Sequence, residues 1–142
     1  MADPRLDTSI EGVGAVYAPF LIDDSTITYD ATEDGGSAQV GLAVALSAAE
    51  TIELAGDGEE IVGKLVKVES DNVATVQIAG GMTLPAGTSA SLTVGKKIVG
   101  DLGAESAEGY IREVNTAQAA ELGVARGMIC DNDTTTAVWV LL

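Results

Sequence analysis

Residues 61–78, IVGKLVKVESDNVATVQI, decide the fold class because they form the clearest β-hairpin pattern in the chain. The first half is rich in β-branched residues. In the second half Ala74, Val76 and Ile78 alternate with polar residues, which is typical of a half-buried strand. Between the halves, Ser-Asp-Asn at 70–72 supplies a turn. The stretch therefore predicts two antiparallel strands.

Similar patterns lie on both sides of this hairpin. Upstream, Val40, Leu42, Val44 and Leu46 alternate with small residues and predict a half-buried strand. Further short strands are predicted at 51–54, 91–94, 96–99, 110–114, 124–130 and 136–142, with a turn at 83–87. A total of about eight to ten short, closely spaced strands predicts an all-β fold, a small β-barrel or sandwich.

One short helix is expected near residues 116–122. Asn115 is placed as its N-cap, and Gln118 follows three residues later in a capping-box arrangement. The segment between them and Leu122 is rich in alanine, and Gly123 suits the position just after a helix. A helix of about two turns needs tertiary packing to be stable.

The first 38 residues differ from the rest, so we expect two parts, 1–38 and a β-rich domain at 39–142. The first part contains Pro4 and Pro19, a possible strand at 26–29, and Gly-Gly-Ser at 35–37. We interpret it as an extended N-terminal arm or peripheral strand that ends in a flexible joint. The alternative is that it supplies the first pair of strands of the main domain.

The composition excludes several classes of protein. The chain has 142 residues, enough for one domain, with 22 acidic and 7 basic residues, a formal charge of −15, no His and one Cys. These counts exclude histidine-dependent catalysis, an intramolecular disulfide and a structural zinc site. The negative charge repels phosphate backbones, and no apolar run is long enough to span a membrane. The polar N-terminus shows no secretory signal, so we expect synthesis in the cytoplasm.

The acidic residues are concentrated in one part of the chain. Residues 6–63 contain twelve Asp and Glu and no Lys or Arg. Three interpretations stay open: a well-solvated surface, adaptation to high salt, or a patch that meets a basic partner.

Three groups of acidic residues are candidate metal or acid/base sites. Residues 131–133, Asp-Asn-Asp, lack the glycine and the glutamate that an EF-hand loop needs, so a hairpin turn is favoured. The adjacent pairs at 23–24 and 59–60 would point to opposite faces of a strand and cannot share a proton. The chain has five aromatic residues, too few to wall a sugar cleft. We therefore expect no enzyme, no cofactor and no metal.

From residue 36 onward the chain resembles the head decoration, or capsid cement, proteins of tailed double-stranded DNA viruses. The most distinctive stretch is GYIREV at 109–114 followed by AELGVARG at 120–127. Other resembling stretches are GLAV at 41–44, VGKLVKVE at 62–69, TVQI at 75–78, GGMTLPAG at 80–87, GKKIVG at 95–100 and TTTAV at 134–138. The resemblance spans residues 36–142, about three-quarters of the chain, and residues 1–35 are not matched.

The resemblance implies a structural virion protein made in the host cytoplasm and located on the outer capsid surface. It implies a homotrimer that binds the major capsid protein at three-fold and quasi-three-fold positions of the expanded shell and stabilises it against DNA pressure. For the capsid or inter-subunit contact we expect Tyr17, Pro19 and Phe20 to act, since aromatic residues concentrate in interface hot spots. The alternative is that these three residues close the domain's own core. The alternative function is a non-enzymatic β-barrel module for a small ligand or carbohydrate, which would need an aromatic-lined pocket.

Overall fold

Within the residues that the structure describes, ten strands form a closed barrel and two smaller sheets, and there is one short α-helix. A computed structural model describes residues 12–88, 92–132 and 137–142. The strands in chain order are β1 (Val16–Ile22), β2 (Ala43–Ala48), β3 (Thr51–Leu54), β4 (Gly63–Val68), β5 (Val73–Ala79), β6 (Gly81–Pro85), β7 (Ile98–Asp101), β8 (Tyr110–Glu113), β9 (Met128–Asp131) and β10 (Ala137–Leu141), and the helix is α1 (Ala119–Val124).

The predicted hairpin forms β4 and β5, and it lies in a five-stranded barrel of order β1-β3-β2-β4-β5 that closes from β5 back to β1. Leu65 pairs with Val76, and Val68 pairs with Ala74. All four side chains are buried in the barrel interior. The expected all-β fold with a short helix is therefore confirmed, and the barrel is the correct architecture of the two that the sequence left open.

The first strand, β1, belongs to the barrel. β1 pairs antiparallel with β5 from Val16 to Leu21 and parallel with β3 at Leu21 and Ile22. Ile27, in the turn that follows, is fully buried in the barrel core. The physical reason is that Phe20, Ile22 and Ile27 bury their side chains against this core. The expected strand at 26–29 is absent, and residues 1–11 of the expected arm lie outside the described residues.

Strand β2 is buried on both faces at its start, although its alternation predicted one buried face. Val44 lies in the barrel interior, whereas Ala43 and Ala45 belong to a second core. Their small side chains let the outer layer approach the barrel closely.

The outer layer consists of a three-stranded sheet of order β6-β10-β9 and the hairpin β7-β8. With the barrel wall it encloses the second core, whose largest buried side chains are Ile61, Met82, Leu84, Ile98, Ile111 and Ile129. The expected turn at 83–87 is wrong, since residues 81–85 form β6 with Met82 and Leu84 buried. Pro85 ends this strand, a position that proline tolerates. In place of the two strands expected at 91–94 and 96–99, the described residues form one strand, β7. Ser91 lies outside the described residues.

The helix is confirmed, but it begins at Ala119 rather than at residue 116. Asn115 does not cap it: its side-chain Oδ1 accepts a 3.0 Å hydrogen bond from the main-chain N–H of Ala117 and closes a turn. Gln118 takes the cap position without a side-chain hydrogen bond, and Gly123 lies inside the last turn. The local turn at Asn115 therefore competes with the predicted capping box.

Candidate functional site

The outer side of β1 presents a row of exposed apolar side chains. Tyr17 is 53% exposed and Leu21 49% exposed, and Pro19 between them is also exposed. We name Tyr17, Pro19 and Leu21 the β1 face. Phe20 points the other way and packs against the barrel core, half-buried. Of the three residues expected at the contact, Tyr17 and Pro19 therefore share an outer face and Phe20 mainly serves the core.

A shallow groove runs beside this face. It has a volume of about 320 Å³ and is lined by Pro19, Phe20, Leu21, Glu50 and Val73. Leu21 and Val73 are cross-strand partners, so the apolar surface continues from β1 onto β5. The groove is an open surface feature with one carboxylate at its margin.

Part of β1 is also an open strand edge. On the side away from β5, β1 pairs with β3 at Leu21 and Ile22 only, so its first five residues have no strand partner there among the described residues. Pro19 lies in this stretch and has no N–H to leave unpaired. The face and the edge together offer apolar contact and main-chain hydrogen bonding in one place.

A second notable feature is a largely buried charge cluster around Arg112 on β8. Its Nη1 donates to Oε2 of Glu121 at 2.9 Å, and its Nη2 lies 2.5 Å from Oε1 of the same carboxylate. The guanidinium also contacts Oδ1 of Asp57 at 3.0 Å and lies 3.8 Å from Oδ1 of Asp101. Arg112 thus joins α1, β7 and the connection between β3 and β4.

The cluster shifts the ionisation of its members. The hydrogen bonds from Arg112 hold the pKa of Glu121 below its ordinary value, although burial opposes the shift, and the main-chain N–H of Asn115 adds to the lowering. The same bonds raise the pKa of Arg112. Both groups are therefore charged in the folded protein.

The cluster is closely packed. One of its carboxylate oxygens, Oδ2 of Asp101, is buried without a hydrogen-bond partner. Gly87 packs so closely on Asp101 that an added Cβ would overlap Oδ2, and Gly58 lies against Glu121. This close packing indicates that the cluster has a structural role and connects the outer layer to the barrel.

Arg126 makes a second connection of this kind. Its Nη1 donates to the carbonyl oxygens of Ile61 at 2.9 Å and Val62 at 3.2 Å, and its Nη2 to that of Ile78 at 3.4 Å. Neither arginine was singled out from the sequence as a site. Arg112 and Glu121 are nine positions apart on different elements, so no local spacing marks the pair.

The acidic groups considered from the sequence lie apart or in turns. Asp23 Oδ1 accepts hydrogen bonds from the N–H and the hydroxyl of Ser25, which lower its pKa, and Asp24 is exposed. Asp131 ends β9, Asn132 donates to the carbonyl of Leu92, and Asp133 lies outside the described residues. Within the described ranges no group of three or more His, Cys, Asp or Glu residues could hold a metal ion.

In the part of the chain that the structure describes, no helix is long and apolar enough to cross a membrane. No protein-family model, curated protein or solved structure matches this chain.

Proposed function

We propose that this chain is a structural virion protein of a tailed double-stranded DNA virus. It binds the outer surface of the expanded capsid as a homotrimer at three-fold and quasi-three-fold positions, and it stabilises the shell against the pressure of packaged DNA. The proposal starts from the resemblance of residues 36–142. The observation that supports it most is the β1 face with its open edge.

The β1 face has the chemistry of a protein contact. An exposed aromatic ring beside a proline and a leucine gives an anchor that gains from leaving water. The open edge of β1 can add a strand from a neighbouring chain, which supplies affinity through main-chain hydrogen bonds. Attachment of a trimer at several points at once makes weak individual contacts sufficient.

The charge of the chain sets a condition on this assembly. With −15 per chain, three subunits repel one another, so a trimer needs salt, bound cations or basic groups on the shell to offset the repulsion.

The alternative, a β-barrel module for a small ligand, lacks an observation in its favour. The barrel interior is filled by side chains such as Ile52, Leu65 and Val76, which are fully buried. The groove beside the β1 face is shallow and includes one aromatic residue, Phe20. Ligand pockets are usually concave and well enclosed.

Two measurements test the proposal. Sedimentation equilibrium of the purified chain is expected to give three times the mass of one chain. Co-sedimentation is expected to recover the chain with expanded capsids of the virus that encodes it and to leave it in the supernatant with immature capsids. Equal binding to both forms, or to neither, would contradict the capsid role, and heat on titration with a glycan panel would favour the ligand-binding alternative.

A further inference from the structure

A second groove lies between the barrel wall and the end of α1. Its volume is about 460 Å³, within the roughly 300–1,000 Å³ of binding pockets for small groups. The apolar part of its lining consists of Ala45, Leu46, Val62 and Val124. Leu46 is 55% exposed, so the groove leaves a large apolar side chain uncovered. We name this feature the acidic groove for the residues at its rim.

Carboxylates surround this apolar lining. Glu59 and Glu60 line the groove and are exposed. Glu53 pairs with Ala45 across β2 and β3, so it lies on the same outer face of the barrel. The carboxylate of Glu59 is held in place, because its Oε2 accepts a 2.8 Å hydrogen bond from the main-chain N–H of Gly56.

These carboxylates repel one another and have little local compensation. Burial raises the pKa of Glu53, and the charges of Glu59, Asp23 and Glu108 raise it further. Arg126 also lines the groove and offsets one of these charges, with its guanidinium held by hydrogen bonds to the carbonyls of Ile61, Val62 and Ile78. A cation that enters the groove would therefore reduce an existing repulsion.

We propose that the acidic groove binds a protein segment in which Lys or Arg residues flank an apolar side chain. The apolar side chain packs on Leu46, and the basic groups face Glu53, Glu59 and Glu60. This contact goes beyond the capsid role argued from the β1 face, because it specifies a separate surface and the charge of its partner.

Other occupants fit the groove less well. A nucleic acid carries the same sign of charge as the rim of the groove and would be repelled. Within the described ranges no group of carboxylates could hold a metal ion. A sugar would find no aromatic ring in the lining.

The test uses the full chain, labelled with ¹⁵N, and a blocked pentapeptide with two lysines on each side of one leucine as the probe. We expect chemical-shift changes at low salt to concentrate at Ala45, Leu46, Val62 and Val124. Replacing the leucine of the probe by serine should weaken binding about fivefold, since roughly 1 kcal/mol of apolar contact is lost. A probe with glutamates in place of the lysines should not bind.

Variants of the chain separate this groove from general acidity. Leu46→Ser should weaken binding of the leucine probe and leave that of the serine probe unchanged. The double variant Glu59→Gln with Glu60→Gln should weaken both probes. The matched control is Glu33→Gln with Asp34→Asn, which removes the same charge at exposed residues elsewhere. Thermal unfolding of each variant confirms that it is folded.

Three results would overturn the proposal. One is shift changes spread evenly over the acidic surface. Another is an equal loss of affinity in the groove variant and the control variant. The third is no binding of the probe at millimolar concentration. Each can occur whether or not the chain binds capsids, so the failure of one proposal is distinguishable from the failure of the other.

Discussion

The barrel and the outer layer are held together by different forces. The barrel interior is filled by apolar side chains, and its strands pair in a continuous ring. The outer layer has its own apolar core but short strands, and it is fastened to the barrel by Arg112 and Arg126, whose partners lie on distant elements. The outer layer therefore depends on buried charge in addition to its apolar core, whereas the barrel depends on close packing. Substitutions in each part test this difference.

The largest effect is expected from Arg112→Met in the outer layer. It leaves Glu121 and Asp101 buried without a compensating charge, which costs about 3–5 kcal/mol of unfolding free energy for a buried pair. Urea unfolding measures the loss. The matched control is Lys67→Met, which removes the exposed pair of Lys67 with Glu69 and should cost about 0–1 kcal/mol. Similar losses for the two variants would contradict the role of buried charge.

In the barrel, the sharpest test of close packing is Gly63→Ala. A Cβ at this position would overlap the carbonyl oxygen of Gln77 on β5, so β4 and β5 would have to move apart. We expect a loss of about 1–3 kcal/mol in urea unfolding. Gly123→Ala in α1 is the control, since no atom lies near its added Cβ, and it should be neutral or stabilising by up to about 1 kcal/mol. An unchanged stability of Gly63→Ala would show that the barrel is loosely packed there.

The pH dependence of stability sharpens the comparison further. Because the folded-state pKa of Glu121 is lowered, its contribution is complete above its ordinary value of about 4.3 and is lost as the pH falls through the lowered pKa. Glu121→Gln should therefore be less stable than the parent chain at pH 7, and this difference should shrink in acid. Thermal unfolding between pH 7 and pH 2 measures it, and a difference that stays constant over this range would contradict the assignment.

The smallest effect is expected at Glu53, on the outer surface of the barrel. Its pKa is raised in the folded state, so its charged form is disfavoured by the fold. Glu53→Gln should raise the melting temperature slightly at pH 7. This gain should shrink as the pH falls through the raised pKa and vanish below the ordinary pKa of glutamate, where the residue is protonated in both the folded and the unfolded state. Glu33→Gln, at an exposed site, is the control. A lower melting temperature for Glu53→Gln would contradict this sign.

The sequence predicted the barrel better than the outer layer for a physical reason. The hairpin of β4 and β5 is local, and its alternation reflects one buried face. β6 was missed because Pro85 and neighbouring glycines favour a turn locally, and the burial of Met82 and Leu84 overrides that preference. The place of β1 was left open because its partners, β5 and β3, are distant in the chain.

The candidate site was predicted in part, because residue types and spacing within one strand can be read from the sequence. Tyr17 and Pro19 were chosen for their residue types, and their spacing of two also places them on one face. Leu21 continues that face and could have been found from the same period of two. The acidic groove could not be found from the sequence, because Leu46, Glu59 and Val124 come together only through tertiary packing.

The most direct measurement is co-sedimentation of a β1-face variant with expanded capsids. Tyr17→Ser with Leu21→Ser removes the apolar face and leaves Phe20 and the barrel core in place, and Val94→Ser is the control at another exposed apolar residue. Our account predicts that the double variant keeps its fold and loses capsid binding, whereas the control binds like the parent chain. Full binding by a folded double variant would contradict the assignment of the β1 face as the contact surface.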